Sequence, residues 1–88
     1  MTQILTPGHP PIVKDLVGQD YDIVIEDGHE NDWHALVGSL QGKLRVDLEG
    51  TYKQNEDVDY SINYITNEMR FLSASAGQMF SLSYMSLL

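Results

Sequence analysis

The sequence contains no cysteine. Disulfides, thiolate metal centres and cysteine nucleophiles are therefore excluded, while the redox compartment stays open. Basic residues are scarce, with five Lys and Arg against 13 Asp and Glu and a formal net charge of −8. Nucleic acid and anionic membranes are bound by Lys and Arg that displace counterions, so neither is an expected partner. A basic protein partner suits this charge. The opening residues, Met1-Thr2-Gln3-Ile4-Leu5-Thr6-Pro7, hold neither a basic segment nor a long apolar one. No secretory signal is expected, which predicts a cytoplasmic location or incorporation into a particle assembled there. Long apolar runs are missing too. Residues 71–88 are uncharged, but Ser73, Ser75, Gly77, Gln78, Ser81, Ser83 and Ser86 interrupt them, and no membrane span is expected.

Catalytic signatures are equally thin. There is no G-x-S-x-G elbow, and the serines alternate with apolar residues as the polar face of a strand does. Gly38, Gly42 and Gly50 are spaced along an alternating segment rather than ahead of a helix, which argues against a phosphate loop. His29 and His34 lack a recognised ligand spacing, and His9 joins them only if the N-terminal segment folds back. The paired carboxylates Glu26-Asp27 and Glu56-Asp57 resemble a glycosidase pair only in composition, since so thin a domain rarely encloses the necessary cleft. The expectation is a non-enzyme with no catalytic residue, no metal and no cofactor. A small hydrolase or metal-binding protein is the weakest of the readings.

What the sequence does contain is alternation. From Leu36 to Tyr52 the even positions read Leu, Gly, Leu, Gly, Leu, Val, Leu, Gly, Tyr, while Ser, Gln, Lys, Arg, Asp, Glu and Thr hold the odd positions from Ser39. A period of two places successive side chains on opposite faces of a strand, so Leu44, Val46 and Leu48 should be buried and Lys43, Arg45 and Asp47 exposed. Residues 21–26, 58–64 and 79–87 alternate in the same way, and short turns at 66–68 and 76–78 suggest that the last three strands form an antiparallel meander. Residues 12–17 have helix-like spacing with Gly18 behind them, which fits one short helix or turn. Residues 31–41 carry a competing helical pattern in Trp33, Leu36, Val37 and Leu40, weakened by Gly38. Strand from about 36, after a helical turn at 31–35, is the preferred reading.

With 88 residues, 42% of them hydrophobic, the chain fits a single domain spanning 1–88. An extended arm is expected at 1–11, where Pro7, Pro10 and Pro11 sit, and a β-rich body at 12–88. The expected fold is mainly β, a small antiparallel sandwich or partial barrel with at most one or two short helices; the alternative is α+β with a helix at about 31–41.

The residues that stand out as partner contacts fall into three groups. Asp20, Asp22, Glu26, Asp27, Glu30 and Asp32 form an acidic run with Trp33 at its end, and Glu56, Asp57 and Asp59 form a second acidic knot. Phe80, Leu82 and Tyr84 belong to an uncharged terminal strand that an unprotected edge would make adhesive. These features predict a non-catalytic interaction or assembly protein, such as a phage or virion subunit that self-associates. The alternative is a small acidic inhibitor, of the phage- or plasmid-encoded kind, that mimics nucleic acid and blocks the basic site of an enzyme.

Overall fold

The computed structural model describes residues 16–87, so the expected arm at 1–11 lies outside the described residues. Seven strands follow in order: β1 (Leu16–Val24), β2 (His34–Ala35), β3 (Ser39–Leu48), β4 (Tyr52–Lys53), β5 (Tyr60–Asn63), β6 (Glu68–Phe71) and β7 (Met79–Leu87). They make two antiparallel sheets, a long one ordered β1-β7-β3-β4 and a short one ordered β2-β6-β5, which share one core without closing a barrel.

Alternation positions that core. In β7 the even residues Phe80, Leu82, Tyr84 and Ser86 are all buried. The register sets Ile23 and Leu48 on either side of Phe80, and Tyr21 and Val46 on either side of Leu82. The short sheet contributes Tyr60, Met69 and Phe71, and the Phe71 ring stacks on Phe80 at 4.1 Å between centroids, joining the two layers. Burying a side chain of this size stabilises by about 1.5–3 kcal/mol, so this cluster is the chief source of stability. As the alternation predicts, Leu44 and Val46 are buried, Leu48 packs against them, and Lys43 and Arg45 face solvent; Asp47 is only half-buried, beside Arg45.

Four local expectations are corrected. Of the two readings of 31–41 the alternative helix is absent from the described residues and the preferred strand starts later than 36, without a helical turn before it: Asn31 lies in a turn, His34 and Ala35 pair with β6, Gly38 bends the chain at φ 71°, and β3 starts at Ser39. Pairing with a sheet edge outweighs a helical spacing of only four apolar residues. The short helix or turn expected at 12–17 lies outside the described residues except for Leu16 and Val17, which with Gly18 form the first part of β1 and pair with Leu87, Ser86 and Met85. The supposed unbroken strand to Tyr52 turns back at Glu49 (φ 55°) and Gly50 (φ 72°), the pair of positive φ values that a type I′ hairpin requires. Tyr52 therefore belongs to β4. Finally, the last three strands are not a meander: β5 and β6 pair, but β7 crosses to the other sheet and takes its centre. A nine-residue strand without charge, apolar on one face and Ser/Met-bearing on the other, is better satisfied by two neighbours than at an edge.

β3 also contains an irregularity that the pattern concealed. Gln41 pairs with Met85 and Arg45 with Ser83, so four residues of β3 advance against two of β7, with Gly42 at φ 74°. The two extra residues preserve parity, so Leu40 and Val46 still face the same way on either side of the bulge.

Candidate interaction surface

The acidic residues are positioned by one connection. Residues 72–78 lead from the short sheet to the long one: the Leu72 amide donates to Asp59 O (2.9 Å), the Gly77 amide to Ile25 O (2.8 Å), and the Met79 amide to the Glu49 carboxylate (2.8 Å). Asn31 Nδ2 donates to Phe71 O at 3.1 Å. The acidic turn after β1 and the acidic loop before β5 are thus tied to the same end of the sandwich.

The first knot is a tight turn. Gly28 takes φ 85°, the His29 amide donates to Glu26 O (3.0 Å) and the Asp32 amide to His29 O (3.3 Å). His29 Nδ1 lies 2.6 Å from Asp32 Oδ2, and that hydrogen bond raises the His29 pKa above its ordinary value, with the charges of Asp32, Glu26 and Glu30 adding to it. Glu26, Asp27 and Asp32 are exposed and Glu30 is half-buried. Trp33 is partly exposed and carries the Arg70 guanidinium, whose carbon sits 5.0 Å from the ring centroid. In the second knot Asp59 Oδ2 accepts from the Asn55 amide (2.8 Å), Asp57 takes φ 67°, and the Glu56 carboxylate accepts from the Tyr64 hydroxyl at 2.7 Å. This last bond, with burial second, pushes the Tyr64 pKa up to about 12.

Asp20 and Asp22 lie on the outer face of β1, opposite Ser83 and Ser81, and Ser81 Oγ donates to Asp22 Oδ1 at 2.8 Å. Leu16 and Val24, at the two ends of the same face, are 55% and 60% exposed.

Phe80, Leu82 and Tyr84 are not surface residues. They point into the core from a central strand, at 3%, 0% and 5% exposure, because β7 has a neighbour on both sides and the short sheet over its inner face. The suggestion that they contact a partner is corrected accordingly. The two imidazoles also part company: His29 is out on the turn, whereas His34 lies edge-on to Phe71, 5.6 Å between centroids. Among the described residues, no three His, Asp or Glu side chains converge in a way that could hold a metal ion.

Two structural centres escaped the sequence reading. The Tyr84 hydroxyl accepts from the Val37 amide (2.7 Å), donates to Val37 O (2.9 Å) and meets the Tyr21 hydroxyl at 2.9 Å. Asn67, at φ 61°, accepts from the Leu40 amide through Oδ1 (3.0 Å) and donates to Gly38 O, clipping the bend before β3 to the β5–β6 turn. The positive φ of Asn67 follows from its residue type, since Asn tolerates the left-handed region; its long-range partners have no local signal.

Comparison of the chain with protein-family models, with curated proteins and with solved structures found no match.

Proposed function

We propose that the chain is a non-catalytic interaction protein, an assembly subunit of a virion-like particle, which joins copies of itself through the edge of β1. One observation carries this reading. Nine consecutive β1 residues pair with β7 without a bulge, and among the described residues no strand pairs with the opposite edge of β1. Sheet edges are usually blunted by Lys, Pro, a bulge or brevity. Leu16-Val17-Gly18-Gln19-Asp20-Tyr21-Asp22-Ile23-Val24 is nine residues long with no Lys, Pro or bulge, its only charged side chains are Asp20 and Asp22, and it exposes Leu16 and Val24 beside the edge. Asp20 and Asp22 restrict the pairing, because like charges directly opposite one another repel. Association through β1 therefore strengthens as salt screens the two aspartates. The test is light scattering on the parent and on Leu16→Lys with Val24→Lys. Both sites are exposed, so the variant should keep its melting temperature while its mass falls to that of one chain. A parent that stays monomeric at every salt concentration, or a variant that associates like the parent, contradicts the proposal.

The inhibitor reading is favoured by a different observation, the attachment of both acidic knots to one end of the sandwich through residues 71–72. Its signature has the opposite sign. Affinity of the acidic end for a basic protein falls as salt rises.

A further inference from the structure

Of the four cations among the described residues, three line a single cleft. Lys43 lines it from within the β3 bulge, Arg45 from the residue that ends the bulge, and Lys53 from β4; Arg70 lies elsewhere, over Trp33. The cleft has a volume of about 360 Å³ and is completed by Leu44, Gln54, Asn55, Glu56 and Tyr60. Its floor is rigid, because Leu44 and Tyr60 are buried and the Tyr60 hydroxyl donates to Leu44 O at 3.1 Å. One wall is pinned by the Gln54 amide, which donates to Val46 O at 2.8 Å.

The cations are not equivalent. Arg45 places Nε and Nη2 on the Asp47 carboxylate at 2.9 and 3.3 Å. Among the described residues neither Lys43 nor Lys53 forms an ion pair, although the chain has 13 carboxylates. Glu56 is held at the rim by the Tyr64 hydroxyl. With Arg45 paired to Asp47, two ammonium groups without an ion pair are set against one lining carboxylate, that of Glu56, so an anion entering the cleft meets a net positive charge.

We propose that this cleft binds a compact dianion, a phosphate monoester or a small dicarboxylate, between Lys43 and Lys53. The volume falls within the roughly 300–1,000 Å³ usual for small-molecule sites. With the Arg45 fork committed to Asp47, recognition rests on the lysines, which act as point charges and impose no planar geometry on the ligand. The neighbouring loop carrying Asp57 and Asp59 repels any polyanion long enough to leave the cleft. The site thus selects by length as well as by charge, and it is separate from the β1 edge.

The experiment titrates the full chain at low ionic strength with inorganic phosphate, with succinate and with a single-stranded oligonucleotide, following the backbone amide signals of Leu44, Gln54 and Tyr60. Saturable shifts in the millimolar range with phosphate or succinate are expected, the tighter of the two identifying the source. Lys43→Gln with Lys53→Gln should weaken that binding by on the order of tenfold or more at an unchanged melting temperature. Lys43→Arg with Lys53→Arg, which keeps both charges, should retain it. Shifts that never saturate, equal binding by the glutamine variant, or an oligonucleotide bound as tightly as either dianion would each overturn the proposal.

Discussion

His29 and Asp32 form a hydrogen-bonded pair on the acidic surface, and the titration of His29 has a definite sign. The Asp32 hydrogen bond first, then the Asp32, Glu26 and Glu30 charges, raise the His29 pKa above 6.5 against the opposing effect of desolvation. A folded-state pKa above the unfolded one means that the pair's contribution is fully present below pH 6.5 and is lost as pH rises through the folded-state value. An NMR titration of the His29 ring should therefore give a midpoint above 6.5, and Asp32→Asn should bring it back down. A parent midpoint at or below the ordinary value would mean that the turn does not hold this geometry in solution. Tyr84 gives a second test at this scale. Its hydroxyl satisfies both backbone groups of Val37 from inside the core, and burial raises its pKa beyond the ordinary tyrosine range. Tyr84→Phe leaves those groups unpaired and should cost about 1–3 kcal/mol. Urea denaturation reads this as a lower midpoint at unchanged slope; an unaltered midpoint would show that water replaces the hydroxyl.

At the scale of elements, β7 decides the long sheet. It pairs with β1 along its whole length and with β3 on both sides of the bulge. Its buried Ser86 accepts from Gln19 Nε2 at 3.1 Å and donates to Val17 O at 3.3 Å. Removing the last three residues should therefore release Leu16 and Val17 on one side and Ser39 and Leu40 on the other, lowering the melting temperature by several degrees and solubility with it. A truncated chain as stable as the parent would mean that this end of the sheet contributes little. Much of this element was readable in advance, because alternation is local: Phe80, Leu82 and Tyr84 had to share a face wherever β7 was placed. Which strands flank it was not readable, since partner choice depends on residues about 60 positions away, as in the pairing of Ile23 with Phe80. β3 shows a subtler limit. Gly42 and Gly50 occupy apolar-face positions in a perfect alternation, so a bulge that preserves parity and a hairpin turn both looked like one continuous strand. The cation cleft stayed hidden for the same reason, because nothing in the spacing of Lys43, Arg45 and Lys53 reveals a bulge beside them.

For the whole molecule, the distribution of charge and of open edge matters more than any single side chain. The acidic composition was plain in the sequence. Its attachment to one end of the sandwich depends on the chain reversal at 72–78, which short polar residues permit but do not dictate. The proposed assembly rests on β1 joining one copy to the next. Amide hydrogen exchange tests it most directly, measured on dilute and concentrated protein at a salt concentration that screens Asp20 and Asp22. In dilute protein the β1 amides that point away from β7 should exchange rapidly, because among the described residues no strand pairs with that edge; at high concentration those same amides should become protected, with the acidic turn at 26–32 unchanged. Equal exchange from β1 at both concentrations, or protection that grows at the acidic turn instead, would contradict the account.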